Sequence, residues 1–277
     1  MNKNSIFDKF LVFLGIFFLT GCHRFIFYPS GIIAIQQYKL IFLIFLVMLV
    51  IVLPVFILTF FFVYSYRRSK NNTYRPNWSH SYFIECMVWI IPILIIVFFS
   101  FITWNTSHSL DPKKKIVSNN SIVKIHVVAL DWQWLFIYPK EKIATLNELV
   151  IPNNTPIKFI ITSNSVMSSF FIPNLGSQIY AMPGMKTILN LLSTLPGKYC
   201  GFSSNYNGEG FSDMKFNTIV VPNDTFITWV NKVHTAPDTL KNINDFNILA
   251  KPNILHQIRY FSFVYDSIFD NILNNNL

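Results

Sequence analysis

The chain has 277 residues, of which 52% are hydrophobic and only 13% charged, with a net charge of +9. Ordinary soluble domains carry about 25% charged residues, so this balance excludes a wholly soluble protein and indicates a membrane chain with a soluble part. Basic residues lie beside hydrophobic stretches, and neither an Arg-rich helix nor a zinc-knuckle spacing is present, so no nucleic-acid partner is expected.

Residues 1–21 read as a lipoprotein signal peptide. Lys3 and Lys9 give a basic start, and residues 10–19 form an apolar core too short to span a bilayer. Leu19, Thr20, Gly21 and Cys22 then have the order of a bacterial lipobox, which makes Cys22 the expected lipidation site and new N-terminus. Cys86 and Cys200 are too far from it, and from each other, to suggest a disulfide framework. Residues 22–39 read as an outer linker.

Residues 40–104 are expected to form two transmembrane helices. Residues 40–64 carry no charge and are long enough to cross about 30 Å of hydrocarbon, with Pro54 as a kink. Arg67, Arg68, Lys70 and Arg75 follow in a short loop, which should stay in the cytoplasm. The second span covers residues 83–103, so the N-terminus and everything after Trp104 should lie outside. Glu85 is the one charged side chain in that span, near its cytoplasmic end. An intramembrane carboxylate marks a functional site by default. So close to the end, it could equally snorkel or pair with a basic residue of the loop.

Residues 105–121 are polar and include Lys113, Lys114 and Lys115, either a solvated linker or a contact with phosphate headgroups. Strand-like runs follow at 122–128, 134–138, 157–161, 187–192 and 216–221, separated by Gly, Pro and Asn turns. Many short strands with turn signals indicate a sandwich or barrel over 105–224. Trp132 and Trp134 stand two apart, so on a strand they would share a face. Ser163, Ser165, Ser168, Ser169 and Asp213 lack a His in any partner motif, so no hydrolase is read from them. In residues 225–277, short helices are expected at 226–233 and 242–249, followed by aromatic-rich segments at 256–263 and 265–273.

The stretch SNSVMSSFFIPNLGSQIYAMPGM (163–185) stands in order with NWSH (77–80), VWIIPILII (88–96), DWQWLFIYP (131–139) and GFSDMKF (210–216). Together these blocks resemble subunit II of the haem-copper respiratory oxidases. They are most similar to the quinol-oxidising branch, the cytochrome bo-type ubiquinol oxidases, from about Cys22 to the C-terminus. The resemblance implies an outer all-β cupredoxin-like Greek-key barrel and an aromatic-rich C-terminal extension. It also supports an acylated Cys22. In such subunits a Glu in an E-x3-W-x2-P pattern, here Glu85, Trp89 and Pro92, lies at the entrance of a proton channel in subunit I.

Relatives that accept electrons from cytochrome c hold two copper ions. They use a His after a V-[LM] step, then a C-x-E-x-C-x3-H loop with a Met beyond it. Soft thiolates and borderline imidazoles suit copper. Counted along this chain, Ser168 stands at the first His, Phe202 and Tyr206 at the two Cys, and Gly210 at the second His, with Met214 retained after one extra residue. Cys200 lies two residues off and reads as an inert thiol. No metal or cofactor is therefore expected in this chain. Haems, the remaining copper and the ubiquinol pocket are expected in the partner subunit I.

The resemblance thus implies a non-redox subunit II of a proton-pumping ubiquinol oxidase. It would be a multi-pass inner-membrane chain with a lipid-anchored N-terminus and a periplasmic C-terminal domain, working with subunit I, the other subunits and the bilayer. The competing readings are the electron-accepting subunit of a cytochrome c oxidase and a stand-alone membrane lipoprotein binding module.

Overall fold

The structure is a computed structural model and describes residues 27–67, 80–118, 120–254 and 257–274. Two long helices come first, α1 (Ile32–Ser65) and α2 (Tyr82–Ser109), each with an internal proline, Pro54 and Pro92. Both are long and apolar enough to cross a membrane, and the apolar stretch of each is exposed on the protein. At 1.5 Å per residue they run about 51 and 42 Å, longer than the hydrocarbon layer.

α1 starts at Ile32, so residues 32–39 belong to the helix and not to the expected linker. The charge of Lys39 interrupts the uncharged run without interrupting the helix. What fixes the start is the β domain. The first N–H groups of a helix have no partner within it. Here Ile32 N donates to Leu192 O at 3.2 Å and Ala34 N to Leu175 O at 3.3 Å. Just before them, Ser30 N and Gly31 N both donate to Asn174 O, at 2.8 and 3.0 Å. A Cβ on Gly31 would stand 2.2 Å from Leu175 O, so only glycine permits this approach. The exit of α2 is tied down nearby. Asn190 N donates to Pro112 O at 2.9 Å, and its side-chain amide to Lys113 O at 3.1 Å.

The outer domain consists of two facing sheets. The larger contains β1 (Val123–Ala129), β2 (Trp134–Tyr138), β3 (Ile143–Leu146), β5 (Ile157–Ser163), β8 (Thr187–Leu191), β11 (Asp238–Leu240) and β12 (Arg259–Val264), in the order β11-β12-β3-β2-β1-β5-β8. The smaller contains β4 (Glu148–Pro152), β6 (Ser168–Phe171), β7 (Ile179–Ala181), β9 (Gly197–Ser203) and β10 (Lys215–Val221), in the order β4-β10-β9-β6-β7. The pairs β1–β5 and β4–β10 are parallel and the connections between them cross over, as a cupredoxin-like sandwich requires. Aromatic rings fill the space between the sheets. Phe170 and Phe216 stack at 5.2 Å, and Trp134 meets both edge-on. Such rings add about 0.5–1.5 kcal/mol per pair beyond the area they bury.

The C-terminal extension is part of this domain, not an appendage to it. α3 (Asn223–His234) buries Phe226, Val230 and Val233 in the main core. β11 and β12 extend the larger sheet. α4 (Ile243–Leu249) and α5 (Ile268–Asn274) cover its outer face, where Phe246, Phe269 and Ile272 pack on Leu135, Ile137 and Leu146.

Candidate functional site

At one end of the sandwich, the loop between β9 and β10 folds back over the start of β6. Ser168 and Met214 are both buried there. The side-chain nitrogen of Asn207 donates to Ser168 Oγ at 2.8 Å and to Met214 Sδ at 2.9 Å. Ser203, at the end of β9, is buried beside them, its N–H donating to Met214 O at 3.1 Å and its hydroxyl to Asn205 O at 3.2 Å. The backbone N–H of Ser169 in turn donates to Ser203 Oγ at 3.4 Å. Trp132 closes the loop from the other side. Its φ is +64°, unusual for an aromatic residue, and its ring lies against Gly208 and Gly210. Trp132 Nε1 and Asn207 Oδ1 are both buried without a hydrogen-bond partner.

This geometry corrects the register counted from the sequence. Tyr206 is 75% exposed and stacks edge-on with Phe211 at 5.7 Å. Phe202 packs edge-on against Phe171 at 5.6 Å. Strand alternation puts it on the face opposite the buried Ser203. Gly210 cannot stand for a His, because a Cβ there would lie 2.5 Å from the Trp132 ring. A shift of one residue places Ser203 and Asn207 at the two Cys positions and Phe211 at the second His. It also removes the extra residue before Met214. Ser168 keeps its position, and the structure brings it together with Asn207 and Met214.

The set is therefore two hydroxyls, one carboxamide, one phenyl ring and one thioether. It contains neither a thiolate nor an imidazole, so it does not fit a pair of copper ions. Among the described residues no group of three or more His, Cys, Asp or Glu could hold a metal. Cys200 is half-buried on β9, with its thiol directed to Gly201 O at 3.7 Å. Alternation puts it with Phe202, away from Ser203, and burial pushes its thiol up.

The Trp pair departs from expectation as well. Trp132 precedes β2 in the left-handed region, so the two rings do not share a strand face. Trp134 is core, whereas Trp132 is partly buried between the edge of that core and the loop.

Glu85 lies in the first turn of α2, where the helix dipole favours a carboxylate. Its Oε1 is 3.6 Å from His80 Nδ1, both side chains being 52% exposed. His80 was missed as a partner because it lies ahead of the helix, at the end of the loop. Trp89 and Pro92 follow one and two turns on. The basic residues Arg68, Lys70 and Arg75 lie outside the described residues, as does Cys22.

The family model for the cytochrome c oxidase subunit II periplasmic domain matches residues 138–223. The cytochrome bo(3) ubiquinol oxidase subunit 2 of Buchnera aphidicola subsp. Schizaphis graminum is 52% identical over 99% of this chain and 95% of its own. The protein of the same description from Pseudomonas putida is 46% identical over 91% of this chain and 80% of its own. The ubiquinol oxidase subunit 2 of Acetobacter aceti is 46% identical over 92% and 83%. Two apolar helices followed by a cupredoxin-like domain, with this loop at its end, define a subunit II of the haem-copper oxidases. Within that class the chain belongs to the ubiquinol oxidase subunit 2 family, of the bo(3) type.

Proposed function

We propose that this chain is the non-redox subunit II of a proton-pumping ubiquinol oxidase in the aerobic respiratory chain. In that complex ubiquinol oxidation is coupled to oxygen reduction and proton translocation. The observation that carries the reading is the donor set around Asn207. A subunit that relays electrons needs soft ligands, and Ser168, Ser203, Asn207 and Phe211 supply none. What the chain contributes is shape. It anchors and caps subunit I, which would hold the haems, the copper and the quinol pocket.

Orientation follows from charge. The loop containing Arg67 faces the cytoplasm, the cupredoxin-like domain lies on the periplasmic side of the inner membrane, and Cys22 carries lipid. Glu85 stands at a proton entrance, with His80 as its neighbour. A fused reporter that is active only outside the cytoplasm should work after Leu277 and fail at Ser69; the opposite pattern overturns the orientation. Glu85→Ala should lower oxidase turnover at unchanged haem content, and Glu85→Asp should restore part of it. Full turnover with alanine would leave Glu85 as a structural residue only. Cys22→Ser should abolish incorporation of a lipid label while the two helices keep the chain in the membrane.

A further inference from the structure

The run Lys113–Lys115 takes no part in the reading above, yet the fold holds it in a defined place. The apolar part of α2, residues 83–103, spans about 31 Å, the thickness of the hydrocarbon layer. Trp104 follows, exposed, where an aromatic anchor belongs at the membrane boundary. The polar remainder of α2, residues 105–109, rises about 8 Å further, through the headgroup layer. The lysines come next, at its outer edge.

They cannot swing away from that level. Asn190 of β8 holds the carbonyls of Pro112 and Lys113. Ile116 packs against the main core. Asp111 Oδ1 accepts from Lys113 N at 2.9 Å and closes the turn between them. All three lysine side chains are exposed, and among the described residues none is in an ion pair. Val117, two residues on, is 99% exposed, an apolar side chain at the same level.

We propose that Lys113, Lys114 and Lys115 form a binding surface for the headgroups of anionic phospholipids in the outer leaflet. Ammonium groups held near a membrane surface attract anionic lipid, and the attraction is screened by salt. The fixed turn makes this a property of one place on the chain, and not of its +9 net charge. The inference rests on α1 and α2 being membrane spans.

The test uses the intact oxidase complex in lipid nanodiscs containing photoactivatable phosphatidylglycerol or phosphatidylcholine analogues. Crosslinks are mapped by peptide mass spectrometry over residues 83–103 and 110–122. Phosphatidylglycerol should label this peptide at least about threefold more than phosphatidylcholine at low ionic strength, and 0.5 M salt should erase the difference. Lys113→Gln, Lys114→Gln and Lys115→Gln together should bring the ratio to unity. A control carrying Lys198→Gln, Lys215→Gln and Lys241→Gln should keep it. Equal labelling by the two lipids in the wild type, an unchanged ratio in the first variant, or loss of the ratio in the control overturns the proposal. Displacement by inorganic phosphate at constant ionic strength overturns it too, by making the site one for the free anion. Failure of the membrane reading would look different, since the chain would then give no crosslink to either lipid anywhere along residues 83–103.

Discussion

The amide nitrogen of Asn207 lies 2.9 Å from the sulfur of Met214 and 2.8 Å from Ser168 Oγ, donating to both. One neutral side chain thus occupies the centre of the loop where copper-bearing relatives of the resemblance place a thiolate. The loop keeps its shape by hydrogen bonding in place of coordination. A buried hydrogen bond contributes about 0.5–1.5 kcal/mol net, and leaving its partner unsatisfied costs more.

The first prediction concerns copper. The purified full chain should bind no stoichiometric copper pair and show no intense visible absorption. The combination Ser168→His, Ser203→Cys, Asn207→Cys and Phe211→His, with Met214 kept, should create a coloured copper protein. No residue needs deleting, because the corrected register has no insertion. The same graft at Phe202, Tyr206 and Gly210 should stay colourless, since a side chain at 210 strikes the Trp132 ring. Colour from that second graft, or from the unmodified chain, would refute the register.

The clasp between α1 and the outer domain gives the second. Gly31→Val places side-chain atoms against the Leu175 carbonyl, which backbone must move to admit. A destabilisation of about 1–3 kcal/mol is expected, the usual cost of overpacking. Limited proteolysis between residues 27 and 31 should become faster. Asn174→Ala should act more mildly, removing the side-chain bond to Tyr28 O at 3.0 Å while the main-chain acceptor for Ser30 and Gly31 remains.

The clasp joins residues far apart in the chain, so local sequence does not reveal it. β2 was readable because residues 134–138 are a continuous apolar run between turns, and all five are buried. α1 was readable as a span, but its start was not, because the groups that cap it lie more than 140 residues away. β6 was not read as a strand. Its serines are buried through contacts with the far loop, as in the bond between Ser169 Oγ and Ser204 Oγ at 2.8 Å. The loss of copper ligands was legible as composition. The register was legible only as the one extra residue before Met214, and the contact between Gly210 and Trp132 decides it.

A third prediction follows from two tyrosines. Tyr138 is fully buried, its hydroxyl donating to Val150 O at 2.9 Å and accepting from Val150 N at 3.0 Å. Burial pushes this phenol far above its ordinary value of 10.0. The folded chain therefore keeps a proton that the unfolded chain releases. Stability from this group is complete below pH 10 and is lost as pH rises beyond it, by up to about 1.4 kcal/mol per pH unit. Denaturant unfolding between pH 9 and 11.5 should show that slope, and Tyr138→Phe should reduce it. Tyr260→Phe tests a different contact. It strips Glu148, 8% exposed, of the hydroxyl donor 2.6 Å from its Oε1, at a cost of about 1–3 kcal/mol at neutral pH.

The last prediction sits where α5 covers the larger sheet. The ring of His126, on β1, lies 4.2 Å from that of Phe269 on α5. Burial lowers its affinity for a proton most; Asp270 opposes this, while Lys186 and Lys124 reinforce it. Asp270 is itself shared with Lys186 at 2.9 Å, so its pull on an imidazolium is divided. Lys142, Tyr265 and Asp266 line the same cavity. With the folded value depressed, the unfolded chain binds the proton first. The contribution is complete above the ordinary value of 6.5 and is lost as pH falls below it, down through the folded value. The protection factors of amides 268–274, exchange rates corrected for the slower intrinsic exchange in acid, should therefore be lower at pH 5 than at pH 7.5. His126→Leu should make the rate of α5 opening nearly independent of pH in that range. Asp270→Asn should steepen the dependence, because the one attraction that favours the charged ring is removed. If α5 opened equally at both pH values in the wild type, or if His126→Leu left the acid sensitivity intact, His126 would not be the group that loosens it.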